Sequence, residues 1–237
     1  GIVFYEGDAF GEKWRGLLLS CETSRNVVYG YLPKPEGAGY KLDRIQFLTT
    51  NKEEDFAGID SMRGRLRGDD LKTWFRPSDV AVGPDGAIYV SDWFDPRSGG
   101  HSALDSSFAG AIYRITPKGK KLTTPKIDLA TTAGQIAALK SPAVHVRALG
   151  FMKLRAAGAA SIPAVTALLK DNNPYVRGRA VFLLAHLGPQ GLAKVEEQLR
   201  HSDPMMRIAA FRALRRANHR VLEHARTLAN DSSPAVR

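Results

Sequence analysis

Apolar and polar positions follow two different rhythms along this chain. In residues 16–48, short apolar runs alternate with turn residues. Residues 17–22 open on Leu17, Leu18 and Leu19, and residues 26–32 carry Val27, Val28, Tyr29 and Tyr31. Residues 40–48 alternate through Leu42, Ile45, Phe47 and Leu48. β-Branched and aromatic runs of this length predict three strands. Pro33, Pro35, Gly37 and Gly39 place a turn between the second and third. The grammar returns with a strand over 77–82, a tight turn at Gly83-Pro84-Asp85-Gly86, and strands over 87–92 and 110–116. Residues 16–22 (GLLLSCE) align with 86–92 (GAIYVSD), and Val27-Val28-Tyr29 with Ala111-Ile112-Tyr113. Repeated short meanders predict radial blades of a β-propeller, and at about 40 residues per blade the first 128 residues hold roughly two. Two blades leave sheet edges unpaired. The ring is therefore expected to be completed upstream, and the chain to be a fragment.

The second rhythm has a period of 30 residues. Arg147, Arg177, Arg207 and Arg237 share one register; Leu154, Leu184 and Leu214 share another; Gly150, Ala180 and Ala210 a third. Pro174, Pro204 and Pro234 form a fourth, and Leu169 with Leu199 a fifth. Asn173-Pro174, Asp203-Pro204 and Ser233-Pro234 each put a capping side chain before a proline in the first helical turn. Ser141-Pro142 sits two residues early, which makes the first repeat atypical. Apolar faces follow the caps: Val176, Ala180, Leu184 and Leu187, then Met206, Ala210, Leu214 and Ala217. Second helices are expected over 162–169 and 192–199. Helix pairs that cannot bury their faces alone stack into a solenoid. The fold class expected is thus multidomain β + α: a partial β-propeller over 1–128, then an α-α solenoid of HEAT-type repeats over 129–237.

Charge marks the same boundary. Residues 1–128 hold 18 Lys and Arg against 18 Asp and Glu, whereas residues 129–237 hold 16 against 6. The whole net charge of +10 therefore lies in the helical half. The arginine after each cap is expected to pair with carboxylates or carbonyls between repeats. Arg207, Arg212, Arg215, Arg216, Arg220 and Arg226 thicken into a basic zone, which fits a solvated helix face or an acidic protein partner. Aromatic interleaving, which nucleic-acid binding would favour, is absent there. His186, among Phe182, Leu183, Leu184 and Leu187, reads as a packed histidine. His219 and His224, five apart, do not share a helical face. Cys21 is the single cysteine, which excludes an internal disulfide, a cysteine-based zinc site and a CxxCH haem attachment within these residues. Its apolar run suggests a buried, inert thiol. No run approaches the roughly 20 apolar residues of a transmembrane helix.

Candidate chemistry concentrates in two loops of the strand half, the connection reaching Arg76 and the one leaving Asp92. Arg76, Asp79, Asp92, Asp95, Arg97 and His101 can all approach one face. They offer an arginine for an anion, carboxylates for Ca²⁺ and an imidazole for proton transfer. Each has a structural alternative: Asp92 as the cap of a strand turn, Asp79 as a backbone-bonding turn residue, Asp95 as a turn starter before Pro96.

Three stretches carry a family resemblance. They are Arg76-Pro77-Ser78-Asp79-Val80 with Gly83-Pro84-Asp85-Gly86 through Asp92-Trp93-Phe94-Asp95-Pro96, Gly110-Ala111-Ile112-Tyr113-Arg114-Ile115-Thr116-Pro117, and Asp128-Leu129-Ala130-Thr131-Thr132 leading to Ser141-Pro142. Over residues 16–237 the chain resembles glucose/sorbosone-dehydrogenase-like propellers followed by HEAT repeats, as in bacterial membrane-bound dehydrogenase-like proteins with a CxxCH haem domain. The resemblance implies an exported, periplasmic or cell-envelope oxidoreductase acting on a sugar or related alcohol or aldehyde. Pyrroloquinoline quinone and calcium would serve as cofactors, with electrons passing to haem c on a domain outside this sequence. On that reading Arg76 holds an anionic cofactor or substrate, Asp92 and Asp95 bind calcium, and His101 is catalytic. The general-base histidine of such propellers belongs to an earlier blade that this sequence lacks. The competing expectation is a non-catalytic propeller–HEAT scaffold for a glycan or protein.

Overall fold

The computed structural model describes residues 1–50, 75–94 and 110–237. Two compact units divide them: Gly1–Lys34 with Lys41–Pro125, and Pro35–Tyr40 with Lys126–Arg237.

In the first unit, strands β1 (Ile2–Tyr5), β2 (Leu17–Glu22), β3 (Val27–Glu36) and β4 (Gly39–Thr49) form one antiparallel sheet in chain order. Strands β5 (Pro77–Val82), β6 (Ile88–Asp92) and β7 (Ala111–Ile115) form a second. The aligned segments are structural equivalents, since β2 and β6 each lie second in their sheet and β3 and β7 third. Strand β1 is an addition to the expected set. Its four residues are too short to stand out, and only Tyr5 is buried. The expected turn at Pro33 and Pro35 moves outward, because β3 runs through both prolines to Glu36 and Gly37 (φ 59°) makes the bend. In the Gly83–Gly86 turn, Gly86 takes φ 82°, and the Asp85 carboxylate accepts the Ala87 N–H at 3.0 Å. Tyr5, Leu17, Leu19, Val28, Phe75, Val80, Val82, Ile88 and Val90 pack into one core shared by the two sheets. Cys21 is half-buried at its edge, and desolvation pushes its thiol up from the ordinary value.

The second unit contains helices α1 (Thr132–Lys140), α2 (Val144–Ala156), α3 (Ile162–Ala167), α4 (Pro174–Leu184), α5 (Gly188–Glu197), α6 (Pro204–Arg216) and α7 (Val221–Leu228). The caps behave as their chemistry requires. Asn173 accepts the Tyr175 N–H at 3.0 Å, and Asp203 accepts the Met205 N–H at 2.8 Å. Leu154, Leu184 and Leu214 are fully buried in a single core with Val176, Ala180, Leu187, Met206 and Ala210. Ala217 is exposed as the C-cap of α6, and Ala213 takes its place in the core. Helices α3 and α5 tighten into 3₁₀ turns that carry Leu169 and Leu199 against the same core. Helix α1, unforeseen from sequence, presses closely on α2: a Cβ at Gly150 would lie 2.4 Å from the Leu139 nitrogen. The corresponding positions in α4 and α6 hold alanine.

Candidate functional site

The expected site begins at Arg76 and Asp92. Asp92, 5% exposed, accepts the Arg76 and Phe94 N–H groups on Oδ1, each at 2.8 Å, and the Tyr113 hydroxyl on Oδ2 at 3.1 Å. Three donors on two buried oxygens make it a turn cap that closes the β5–β6 end. Desolvation and the Asp92 charge raise Tyr113 above its ordinary value, keeping it a donor. A calcium site draws on about six to eight oxygens, and a carboxylate committed in this way does not fit one.

Arg76 is 3% exposed, and its Nη1 donates to the Thr23 carbonyl at 3.1 Å. The Thr23 hydroxyl donates to the Pro77 carbonyl at 2.8 Å, and Asn26 Nδ2 to the Phe75 carbonyl at 2.8 Å. Asn26 is fully buried in the left-handed region, φ 57°. These contacts lash the loop after β2 to the start of β5. Arg76 is a strut here, its buried guanidinium holding the Thr23 carbonyl. Asp79 accepts its neighbour Val80's N–H at 2.8 Å, so it bonds the backbone, but within β5 at a register irregularity rather than in the expected turn. Asp95, Arg97 and His101 lie outside the described residues.

In the helical unit two groups of arginines stand out, beside Arg179, which donates to the Leu139 and Ser141 carbonyls, and Arg220, which pairs with Glu196 and Glu223. Those of the 30-residue register clasp the inter-repeat loops. Arg177 Nη1 donates to the carbonyls of Asp171 and Asn172, and Arg207 Nη1 to those of His201 and Ser202. Arg237 repeats the pattern on Asp231 and Ser232. Arg207 also grips the Asp231 carboxylate through Nε and Nη2 at 2.8 and 2.7 Å, which holds Asp231 below the usual carboxylate range. The residue six before each clasp plays a matching part: Asp171, His201 and Asp231 each accept, on a side-chain atom, the N–H of the residue two further on. Ser141 does the same six residues before Arg147, whose Nη1 donates to the Pro142 carbonyl.

The second group faces outward. Arg155, Arg212, Arg215, Arg216 and Arg226 are exposed and have no carboxylate partner among the described residues. Arg212, Arg215 and Arg216 share one face of α6 through their three- and four-residue spacing. His186 is exposed rather than packed, its ring edge-on to Phe151 at 5.8 Å. Burial lowers its pKa, and so do the Arg155 and Arg216 charges. Arg155 of α2 and Arg216 of α6 thus flank the His186 ring with positive charge from both sides.

A further cluster was hidden by its spacing. Glu196 Oε1 lies 2.9 Å from His219 Nε2 and 3.1 Å from His224 Nε2. Arg220 Nη1 reaches the same oxygen at 3.1 Å. Burial pushes Glu196 up, but the His219 hydrogen bond and the Arg220 charge outweigh it and hold the carboxyl below its usual range. The five-residue spacing misleads because His219 is not helical. It sits in the α6–α7 turn between Asn218 (φ 53°) and Arg220 (φ 45°). Asn218 was the readable signal, since asparagine tolerates left-handed backbone and marks helix ends.

Among the described residues no helix is long and apolar enough to cross a membrane. No curated protein and no solved structure matches the chain. Residues 1–97 match a family described as a domain of unknown function, DUF7133. Residues 162–237 match the family of HEAT repeats, so the helical region is HEAT-like over that span.

Proposed function

We propose that this chain is an interaction scaffold in which two propeller-type blades precede a HEAT solenoid that binds an acidic protein partner. Blade identity is supported by the two chain-order meanders, their equivalent second and third strands, and the common core between them. The observation that carries the function is the division of the arginines. Those needed for folding are clasped to loops, whereas Arg155, Arg212, Arg215 and Arg216 are exposed with no carboxylate partner among the described residues. Cations at the C-terminal turns of α2 and α6 also complement the helix dipoles, but that role does not require them to flank His186 from both sides.

The quinone-dependent dehydrogenase reading is the weaker one on these contacts. It asks Arg76 and Asp92 to meet a cofactor and calcium, and both are buried in hydrogen bonds to the protein itself.

Titration with poly-L-glutamate tests the scaffold reading. Binding should weaken as salt rises. The Arg155→Ser, Arg215→Ser, Arg216→Ser triple variant should bind about tenfold less tightly. A triple variant that binds as the parent does, or a parent that does not bind, overturns it. Saturable binding of pyrroloquinoline quinone with calcium, lost in Arg76→Ala, would restore the alternative.

A further inference from the structure

Glu196, His219 and His224 come from consecutive repeats: the last turn of α5, the α6–α7 turn and the first turn of α7. Their ligand-type atoms all lie within 4.8 Å of one another. The two imidazoles address the same carboxylate oxygen rather than one each, and their rings stand 6.2 Å apart at 33°. Arg220 also contacts that oxygen, so Oε1 receives three donors while Oε2 receives none among the described residues. Neutralising one carboxylate does not need two histidines and an arginine. Convergence of two ring nitrogens and a carboxylate on one point is the donor arrangement of an open zinc centre, in which three protein ligands leave a position for water.

We propose that Glu196, His219 and His224 bind a divalent transition ion of the zinc class. The mixed nitrogen and oxygen set suits Zn²⁺ rather than Ca²⁺ or Mg²⁺, which take oxygen ligands. The side chains are 27%, 29% and 10% exposed, so an ion can enter from solvent and retain a water ligand while His224 is held against the core. Each imidazole would carry its proton on Nδ1 and present Nε2 to the metal. The ion replaces the three donors now gathered on Oε1. Arg220 need not lose its other partner, because its Nε and Nη2 are already hydrogen-bonded to Glu223. The bound ion ties the second helix of one repeat to both the turn and the second helix of the next, a cross-repeat bond separate from the Arg177–Asp203 and Arg207–Asp231 pairs.

The experiment is titration of the full chain with Zn²⁺ alone, with Co²⁺ as a spectroscopic probe. One equivalent should bind, and cobalt should give the visible absorption of a low-coordinate nitrogen and oxygen site. His219→Ala and His224→Ala should each weaken zinc by about 100-fold, since even outer-shell changes cost ten- to 100-fold. Glu196→Gln, which preserves shape and removes the charge, should weaken it by at least about tenfold. Arg220→Ala removes a competitor and should tighten binding severalfold. Glu196→Gln and His219→Ala keep the test valid should the more buried His224→Ala fail to fold, with folding checked by circular dichroism. His101, His145, His186 and His201 remain in every variant, so binding at those residues persists throughout the series. Zinc affinity unchanged in folded Glu196→Gln and His219→Ala overturns the site, as does a parent that takes up no zinc.

Discussion

The two halves of this chain both tie segments together by side-chain donors on backbone carbonyls, and they do it differently. In the helical half one residue type does the work at one register. Arg177, Arg207 and Arg237 each reach back to carbonyls five and six residues earlier. In the sheet half each carbonyl has its own donor. Arg76 serves Thr23, Thr23 serves Pro77, and Asn26 serves Phe75, across sequence separations of 53, 54 and 49 residues. The helical contacts are local and replicated, so losing one leaves equivalents nearby. The sheet contacts are long-range and single. Stability should therefore be graded along the helical half and all-or-none in the sheet half.

Tryptophan makes that contrast measurable. All three tryptophans precede residue 128, so fluorescence reports on the first half of the chain while ellipticity at 222 nm is dominated by the helices. Leu184→Ala should have the largest effect. The side chain is fully buried, and its loss should cost about 3 kcal/mol. The 222 nm transition in urea should move while the tryptophan transition stays in place. A shift of both together would mean that the halves unfold as one.

Asp92→Ala should do the reverse. It strands the Arg76 and Phe94 N–H groups and the Tyr113 hydroxyl, at about 2 kcal/mol. The tryptophan transition should move, and Asp92→Asn should recover part of the loss.

Acid should act next. At Asp171 burial pushes the carboxyl up, but the Lys140 hydrogen bond and the Asn173 N–H outweigh it; at Asp231 the Arg207 hydrogen bond dominates. Both folded values lie below the unfolded one, so their stabilisation is complete above about pH 5 and is lost as pH falls through the folded values. Thermal melts at 222 nm should drop steadily between about pH 5 and pH 2. Melts that stay level would show that the clasps contribute little.

Arg215→Ser should have the smallest effect. It touches no clasp, and both transitions should stay within about 0.5 kcal/mol of the parent. A larger loss would move Arg215 into the folding class of arginines and weaken the acidic-partner reading.

The same contrast governs what the sequence displays. The caps at Asn173 and Asp203, the leucine stack and the clasping arginines are legible because one position does one job several times. Leu17–Glu22 and Pro77–Val82 are legible because apolar runs between turns have few other outcomes. Strand β1 is not, since a single buried tyrosine in four residues carries no period. Helix α1 could have been found from Thr131, whose hydroxyl accepts the Gly134 N–H in an ordinary N-cap. Around Arg76 and Asp92 the sequence leaves two roles open, chemistry or the capping of a strand turn, and the contacts within the protein favour the second. Arginine and aspartate near a loop suggest chemistry, and only coordinates reveal that carbonyls and amides already occupy them. The Glu196 cluster escaped because helical spacing was applied across a turn.

One consequence of the clasp concerns how such a solenoid can lengthen or shorten. Excising residues 174–203 would join Asn173 to Pro204, again a capping side chain followed by proline. Asp171 would then stand six residues before Arg207, the separation His201 has now. Splicing at that joint restores both the cap and its lock, so each repeat behaves as an interchangeable cassette. Gene duplication could add or remove such units without inventing new junction chemistry.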